Sequence, residues 1–162
     1  MKKNSKIFKL NPSQVLQHLE RKDVVSNILR RHKVKQSARD FFVSNGFIEV
    51  DSPILGPAMD IYTAHRMEVV GSQKNYFLPQ SAQIYGKLLT ISALEKCFQF
   101  PHCFRDEPLD PKRTDQAKEF YAITFELRVN DAVKIRSLAE ELMKNICQSL
   151  DIKCSIPFPA MT

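Results

Sequence analysis

An α+β fold is expected from three features of the sequence. Three stretches carry apolar residues at helical spacing: residues 28–42, 80–93 and 131–150. Short β-rich runs lie between the first two. Two longer strands, residues 97–106 and 119–129, face each other across a polar, proline-bearing loop and form a hairpin. The 162 residues, 43% hydrophobic and 26% charged, suit one soluble globular domain with a substantial core.

In order along the chain, Asn11-Pro12-Ser13 signals the start of a short helix after a polar beginning. Ile28, Leu29, Val34, Ala38, Phe41 and Phe42 mark the buried stripe of the next helix. Its basic side chains Arg30, Arg31, Lys33, Lys35 and Arg39 read mostly as a solvated face. Asn45-Gly46 supplies residues that tolerate a left-handed backbone, as a helix C-terminus requires. Phe47 to Val50 reads as a strand, and Pro53 forces extended geometry on Ser52 at its exit. Residues 56–65 read as a loop, 66–70 as a strand, and 71–75 as a turn into a strand at 76–79. A helix over 80–93 follows, with Ile84, Leu88, Leu89 and Ile91 on its periodic positions. After the hairpin, the helix over 131–150 places Val133, Leu138, Leu142, Ile146 and Leu150 near one face, with Glu140 and Lys144 as an i,i+4 pair.

Charge and cysteine usage narrow the function classes. The net charge of +6 and pI near 9.2 permit contact with nucleic acid without requiring it. No apolar run approaches the roughly 20 residues that span a bilayer. The basic start, Met1 to Lys6, is followed by no hydrophobic signal region, so a cytoplasmic protein is expected. Cys97, Cys103, Cys147 and Cys154 make no C-x-x-C pair, and no histidine stands at zinc-finger spacing from them, which predicts reduced thiols.

The chemistry concentrates in Cys103-Phe104-Arg105-Asp106-Glu107 and the returning Lys118-Glu119-Phe120-Tyr121. A guanidinium can grip a phosphate through its planar fork. A carboxylate can accept hydrogen bonds from a base or ribose. An aromatic ring can lie under adenine, where stacking contributes about 1–3 kcal/mol. Together, Arg105 and Phe120 are expected to sandwich a purine nucleotide. The alternatives are a strand-end arginine paired with Asp106 or Glu107, and a core phenylalanine.

These segments resemble motif 2 of the class II aminoacyl-tRNA synthetases, most closely the aspartyl type. Arg31-His32-Lys33-Val34 through Phe41-Phe42, then Asn45 through Leu55 with Pro53, is similar to motif 1 and its dimer-interface proline. Tyr76 through Gln83 resembles the stretch that binds the amino acid. The three signatures are collinear from about His32 to Leu127. The resemblance sharpens the fold to an antiparallel sheet flanked by helices. It divides the chain into an N-terminal extension, 1–20, and a partial catalytic domain, 21–162, with motif 1 at about 31–55 and motif 2 at about 97–127.

What the resemblance implies for the site follows residue by residue. Arg105 would contact the α-phosphate of ATP and stabilise charge during amino-acid activation. Glu107 would recognise the adenine side, and Phe120 would stack on its ring. Arg113 would reach outer phosphates or a tRNA end, unless it is simply solvated. Ser81 and Gln83 would bind the amino acid, or else serve as helix N-terminal residues, Ser81 as a cap. Glu126 would help hold Mg²⁺ with the phosphates, or is a lone carboxylate on an exposed strand face. The implied partners are ATP, an amino acid, tRNA and a second copy of the chain.

Departures from the pattern limit the expectation. Gly86 stands where the aspartyl family has a lysine for the substrate carboxylate, and Ala122 and Thr124 replace Gln and Asp after Glu-Phe. Ala58-Met59-Asp60-Ile61-Tyr62 replaces an acidic closing loop. No Gly-x-Gly-x-Gly-x-x-Arg third motif occurs, which implies a truncated core. The expected activity is that of an ATP-binding, ligase-related domain with weak or no complete aminoacylation by itself. The alternatives are a non-catalytic dimeric paralogue that binds nucleotide or tRNA for regulation, and a partner that completes or inhibits a full-length synthetase.

Overall fold

The computed structural model describes residues 11–56, 66–108, 110–112, 116–154 and 156–159. Contacts divide the chain into two compact units, Met1–Ala38 with Glu140–Thr162, and Arg39–Ala139.

The first unit begins with α1 (Pro12–Leu19). The Asn11 side chain caps it by accepting from the Ser13 backbone N–H at 3.1 Å, and Pro12 occupies the first turn, where its missing N–H costs nothing. α2 (Lys22–Ser44) begins in this unit, and its last turns, from Arg39, belong to the second. α4 (Ala132–Ser149) is capped by Asp131, whose Oδ1 accepts from the Lys134 N–H at 3.0 Å, and it buries Leu142 and Ile146. Val133 was expected on that buried face but is 78% exposed. The expected Glu140–Lys144 pair does not form either; Glu140 Oε1 accepts from the Phe158 N–H at 3.3 Å instead.

In the second unit, α2 ends as Asn45-Gly46 predicts. Gly46 adopts φ +73°, the Phe47 N–H returns to the Phe42 carbonyl, and the Gly46 N–H to that of Val43. This reversal sends the chain into β1 (Ile48–Glu49). The strands β2 (Glu68–Val70) and β3 (Asn75–Phe77) pair antiparallel, and α3 (Gln83–Ser92) follows. The expected hairpin appears as four short strands: β4 (Lys96–Gln99), β5 (His102–Phe104), β6 (Glu119–Tyr121) and β7 (Thr124–Leu127). β4 pairs with β7 and β5 with β6. The break falls at Phe100-Pro101, because proline has no N–H for the ladder. Its carbonyl still accepts from Ala122 at 3.1 Å, so one register runs through both halves.

The sheet order is β1-β4-β7, with β1 parallel to β4 and every other pair antiparallel. Its two faces differ in chemistry. Phe98 and Phe125 meet Phe42 of α2 at centroid distances of 4.7 and 5.4 Å, and Phe47 adds a contact at 5.2 Å. Phe42 and Phe98 are fully buried, each contributing about 1.5–3 kcal/mol of hydrophobic stabilisation. The other face carries Cys97, Gln99, Thr124 and Glu126 beneath α3. That helix buries Gly86 and Thr90, whereas Leu88 and Ile91, on its expected apolar positions, are exposed. Arg39 also departs from its solvated reading. It forms two hydrogen bonds to Glu49, at 2.7 and 2.9 Å, and lies 5.2 Å from the Phe100 ring centre.

Candidate functional site

The hairpin register fixes which side chains share a face. Cys103 pairs with Phe120, and the Arg105 N–H continues the ladder to the Lys118 carbonyl at 2.9 Å. Alternation therefore puts Arg105 and Phe120 on one face, two rungs of the ladder sharing a diagonal. The guanidinium carbon lies 5.2 Å from the Phe120 ring centre, a direct cation–π contact. His102, Phe104, Glu119 and Tyr121 occupy the reverse face, where the His102 Nδ1 lies 3.2 Å from a Glu119 oxygen and its ring meets Tyr121 edge-on.

As they stand, the two groups touch each other and leave no gap for a base. A flat base between guanidinium and ring needs two contacts of about 3.5–4 Å each, more than the 5.2 Å present. The guanidinium must swing off the ring before a purine can lie there. Among the described residues nothing holds it strongly. Its side chain is 41% exposed, and Glu107 stands 3.9 Å away, beyond hydrogen-bonding range and equally solvated. Asp106 is engaged by the ammonium group of Lys118 across the ladder, so it does not compete for Arg105. Phe120 itself is partly exposed rather than sealed in the core.

Ser81 and Gln83 open α3. The Ser81 hydroxyl accepts from the Gln83 N–H at 3.3 Å, but the N-cap position is Ala82, so Ser81 stands one residue ahead of the cap expected of it. The Pro79 carbonyl accepts from the Phe104 N–H at 2.8 Å, which ties the segment leading to Ser81 to the strand ahead of Arg105. Ser81 and Pro53, assigned separate roles from sequence, line one largely apolar cavity of about 220 Å³ with Leu55, Phe77 and Tyr85. Arg113 and the Ala58–Tyr62 loop lie outside the described residues.

Glu126 faces α3 rather than open solvent. A Cβ at Gly86 would stand 2.9 Å from Glu126 Cγ, so glycine allows the helix to approach this closely. Burial pushes the Glu126 carboxyl up from its ordinary value, opposed by the charge of Lys87. Burial, then the charge of Glu126, likewise raises the Cys97 thiol, whose sulfur lies 3.9 Å from the Gly86 carbonyl. Among the described residues no group of three His, Cys, Asp or Glu side chains could hold a metal ion.

One residue absent from the sequence-based set proves central. Gln99 is buried, donates to the Ala82 carbonyl at 3.2 Å and accepts from the Ser52 hydroxyl, tying the motif 1 exit to the start of α3. Its signal was a glutamine inside an otherwise apolar strand, where a buried amide demands partners.

Comparison with known proteins agrees with this architecture. The chain is 34% identical over 149 residues to an aspartate–tRNA ligase of Thermosipho africanus, covering 89% of this chain and 25% of that protein. An aspartate–tRNA(Asp/Asn) ligase of Natranaerobius thermophilus is 36% identical over 150 residues, with 89% and 25% covered. The crystal structure of asparaginyl-tRNA synthetase from Pyrococcus horikoshii, complexed with asparaginyl-adenylate, superposes with a TM-score of 0.72 at 25% identity, over 86% of this chain and 32% of that one. The chain thus spans about a quarter of the length of the curated relatives it matches. The family model for class II tRNA synthetases (D, K and N) matches residues 9–162, and with it the motif 1 and motif 2 segments, the shared hairpin face and the α+β architecture assign the chain to that family.

Proposed function

We propose that this domain binds ATP on the Arg105–Phe120 face of the hairpin and takes part in aspartyl-type amino-acid activation. The observation that carries the reading is the pairing of a solvent-accessible guanidinium with a partly exposed aromatic ring on one face. On nucleotide binding, Arg105 moves from the ring to the α-phosphate, and adenine takes its place on Phe120. The exchange trades one cation–π contact of about 0.5–1 kcal/mol at an exposed site for a stacked base and a charge-assisted hydrogen bond, both stronger. Glu107 then accepts hydrogen bonds from the adenine side. During activation Arg105 stabilises negative charge at the transferring centre without a covalent protein intermediate.

Ser81 and Gln83 serve the amino acid, and the relative bound to asparaginyl-adenylate supports an acyl-adenylate as the occupant. Magnesium supplies charge neutralisation on the phosphates. Glu126 would help hold it together with the phosphate oxygens, a hard-oxygen set of the kind magnesium takes. Arg113 and tRNA belong to the same reading, as does a homodimer formed through motif 1. The exposed Pro53, Ile48, Ile54 and Leu55 support that interface. No helix among the described residues is long and apolar enough to cross a membrane.

Calorimetric titration with ATP and Mg²⁺ tests the proposal. Arg105→Ala and Phe120→Ala are each expected to weaken binding about tenfold, from the loss of roughly 1–3 kcal/mol of contact. Absence of binding by the unmodified chain, or unchanged affinity in both variants, refutes it.

A further inference from the structure

Helix α4 ends in a reversal that carries two thiols to one place. Asp151 takes φ +57°, the left-handed conformation that asparagine and aspartate tolerate best after glycine. Its N–H bonds the Gln148 carbonyl at 3.1 Å, and the Ile152 N–H bonds that of Cys147 at 2.9 Å. This pair of bonds is a left-handed helix stop that turns the chain back over its own last turn. Further along, the Phe158 N–H reaches Glu140 Oε1 at 3.3 Å, so residues 152–158 retrace about two turns of α4.

Between those two attachments Cys154 meets Cys147, within the first unit, and their thiols share a hydrogen bond. Both are half-buried, whereas Cys97 and Cys103 are 1% and 2% exposed. An oxidant in solution therefore meets this pair first. Burial, then the bond to Cys147, hold the proton on Cys154 more tightly than usual, and the charge of Lys144 works against them. Cys154 is thus the donor of the shared hydrogen bond, and Cys147 is the sulfur that can attack. A bridging metal is the competing use of two thiols, but among the described residues no group of three His, Cys, Asp or Glu gathers to complete such a site.

We propose that Cys147 and Cys154 form a reversible disulfide clasp that locks the returning segment onto α4 when the surroundings turn oxidising. The oxidant is a small-molecule disulfide. The Cys147 thiolate attacks one of its sulfurs, forming a mixed disulfide and releasing a thiolate, which takes up the Cys147 proton through solvent. The Cys154 sulfur then attacks that of Cys147 and expels the second thiolate, which takes up the Cys154 proton. Two protein thiols are oxidised, and one external disulfide is reduced to two thiols. Excess external thiol runs the exchange backwards and reopens the clasp.

The test incubates the folded chain with oxidised glutathione, blocks the remaining thiols, digests with trypsin and reads masses without reduction. Trypsin cuts between Lys153 and Cys154, inside the ring that the disulfide closes. The intact protein is expected to lose two hydrogen atoms. The peptide beginning at Cys154 is expected to stay joined to the one holding Cys147 until dithiothreitol separates them. Cys147→Ser and Cys154→Ser are each expected to stop at the glutathione adduct of the remaining thiol. Amide exchange at Ile152 and Phe158 is expected to slow about tenfold or more in the oxidised chain, because a closed ring suppresses local opening. A glutathione adduct that persists on the unmodified chain, a disulfide made with Cys97 or Cys103, no reaction, or unchanged exchange at both amides each overturns the proposal.

Discussion

Replacing Gly86 by alanine adds one methyl group where helix α3 presses hardest on the sheet. That methyl would stand 2.9 Å from Glu126 Cγ, closer than real Cβ contacts come. Overpacking of this kind costs about 1–3 kcal/mol. Against it, alanine is a better helix former than glycine by about 1 kcal/mol in a helix interior. The net expectation for Gly86→Ala is a destabilisation of about 0–2 kcal/mol. Truncating Glu126 to alanine removes the obstructing atom. The remaining neighbours, Gln99 Nε2 at 3.5 Å and residue 126 Cβ at 3.9 Å, are ordinary contacts. In the Glu126→Ala background the same glycine replacement is therefore expected to stabilise, by up to about 1 kcal/mol. Urea unfolding followed by circular dichroism, applied to the four members of this double-mutant cycle, yields the coupling. A coupling energy within about 0.5 kcal/mol of zero, the level at which independent sites add, refutes the close approach of α3 to β7.

Two other perturbations probe the same unit. Phe42→Ala empties the centre of the aromatic cluster formed with Phe47, Phe98 and Phe125 and is expected to cost about 3–5 kcal/mol in urea unfolding; a loss near 1 kcal/mol contradicts that packing. The raised carboxyl of Glu126 has a defined pH signature. The folded state holds its proton more tightly than the unfolded state, so stability falls as pH rises from near 4.5 through the raised value and is level above it. Glu126→Gln is expected to lose that component of the decline, and identical pH profiles for the two proteins rule it out.

Much of this architecture was legible because its signals are local. The helix start at Asn11-Pro12 and the Gly46 helix stop depend on residues a few positions apart, and each formed as expected. The shared face of Arg105 and Phe120 also followed from strand alternation, once the two segments were recognised as partners. Pro101 divided each predicted long strand in two without shifting the register, since it removes one donor and keeps its carbonyl. What escaped were contacts set by distant segments. Helical periodicity marked Val133 and Ile91 as core, yet nothing covers either, because periodicity says which residues align and not which face meets a neighbour. Arg39 looked solvated until Glu49 came alongside. The juxtaposition of Gly86 with Glu126 joins positions forty residues apart, and a glycine required by close packing looks the same in sequence as one required by a turn.

The parallel pairing of β1 with β4 has a consequence for divergence. Parallel neighbours cannot be joined by a tight turn, so everything from Val50 to Glu95, including Ser81, Gln83 and Gly86, is a single excursion anchored at both ends by one short ladder. The entropic penalty of such an excursion grows only logarithmically with its length. Within it, Pro79, Ala82 and Gly86 are pinned to the hairpin strands by Phe104, Gln99 and Glu126, so added length is tolerated only between those points. The segment can therefore lengthen between its points of contact while the sheet that it leaves and rejoins keeps its order.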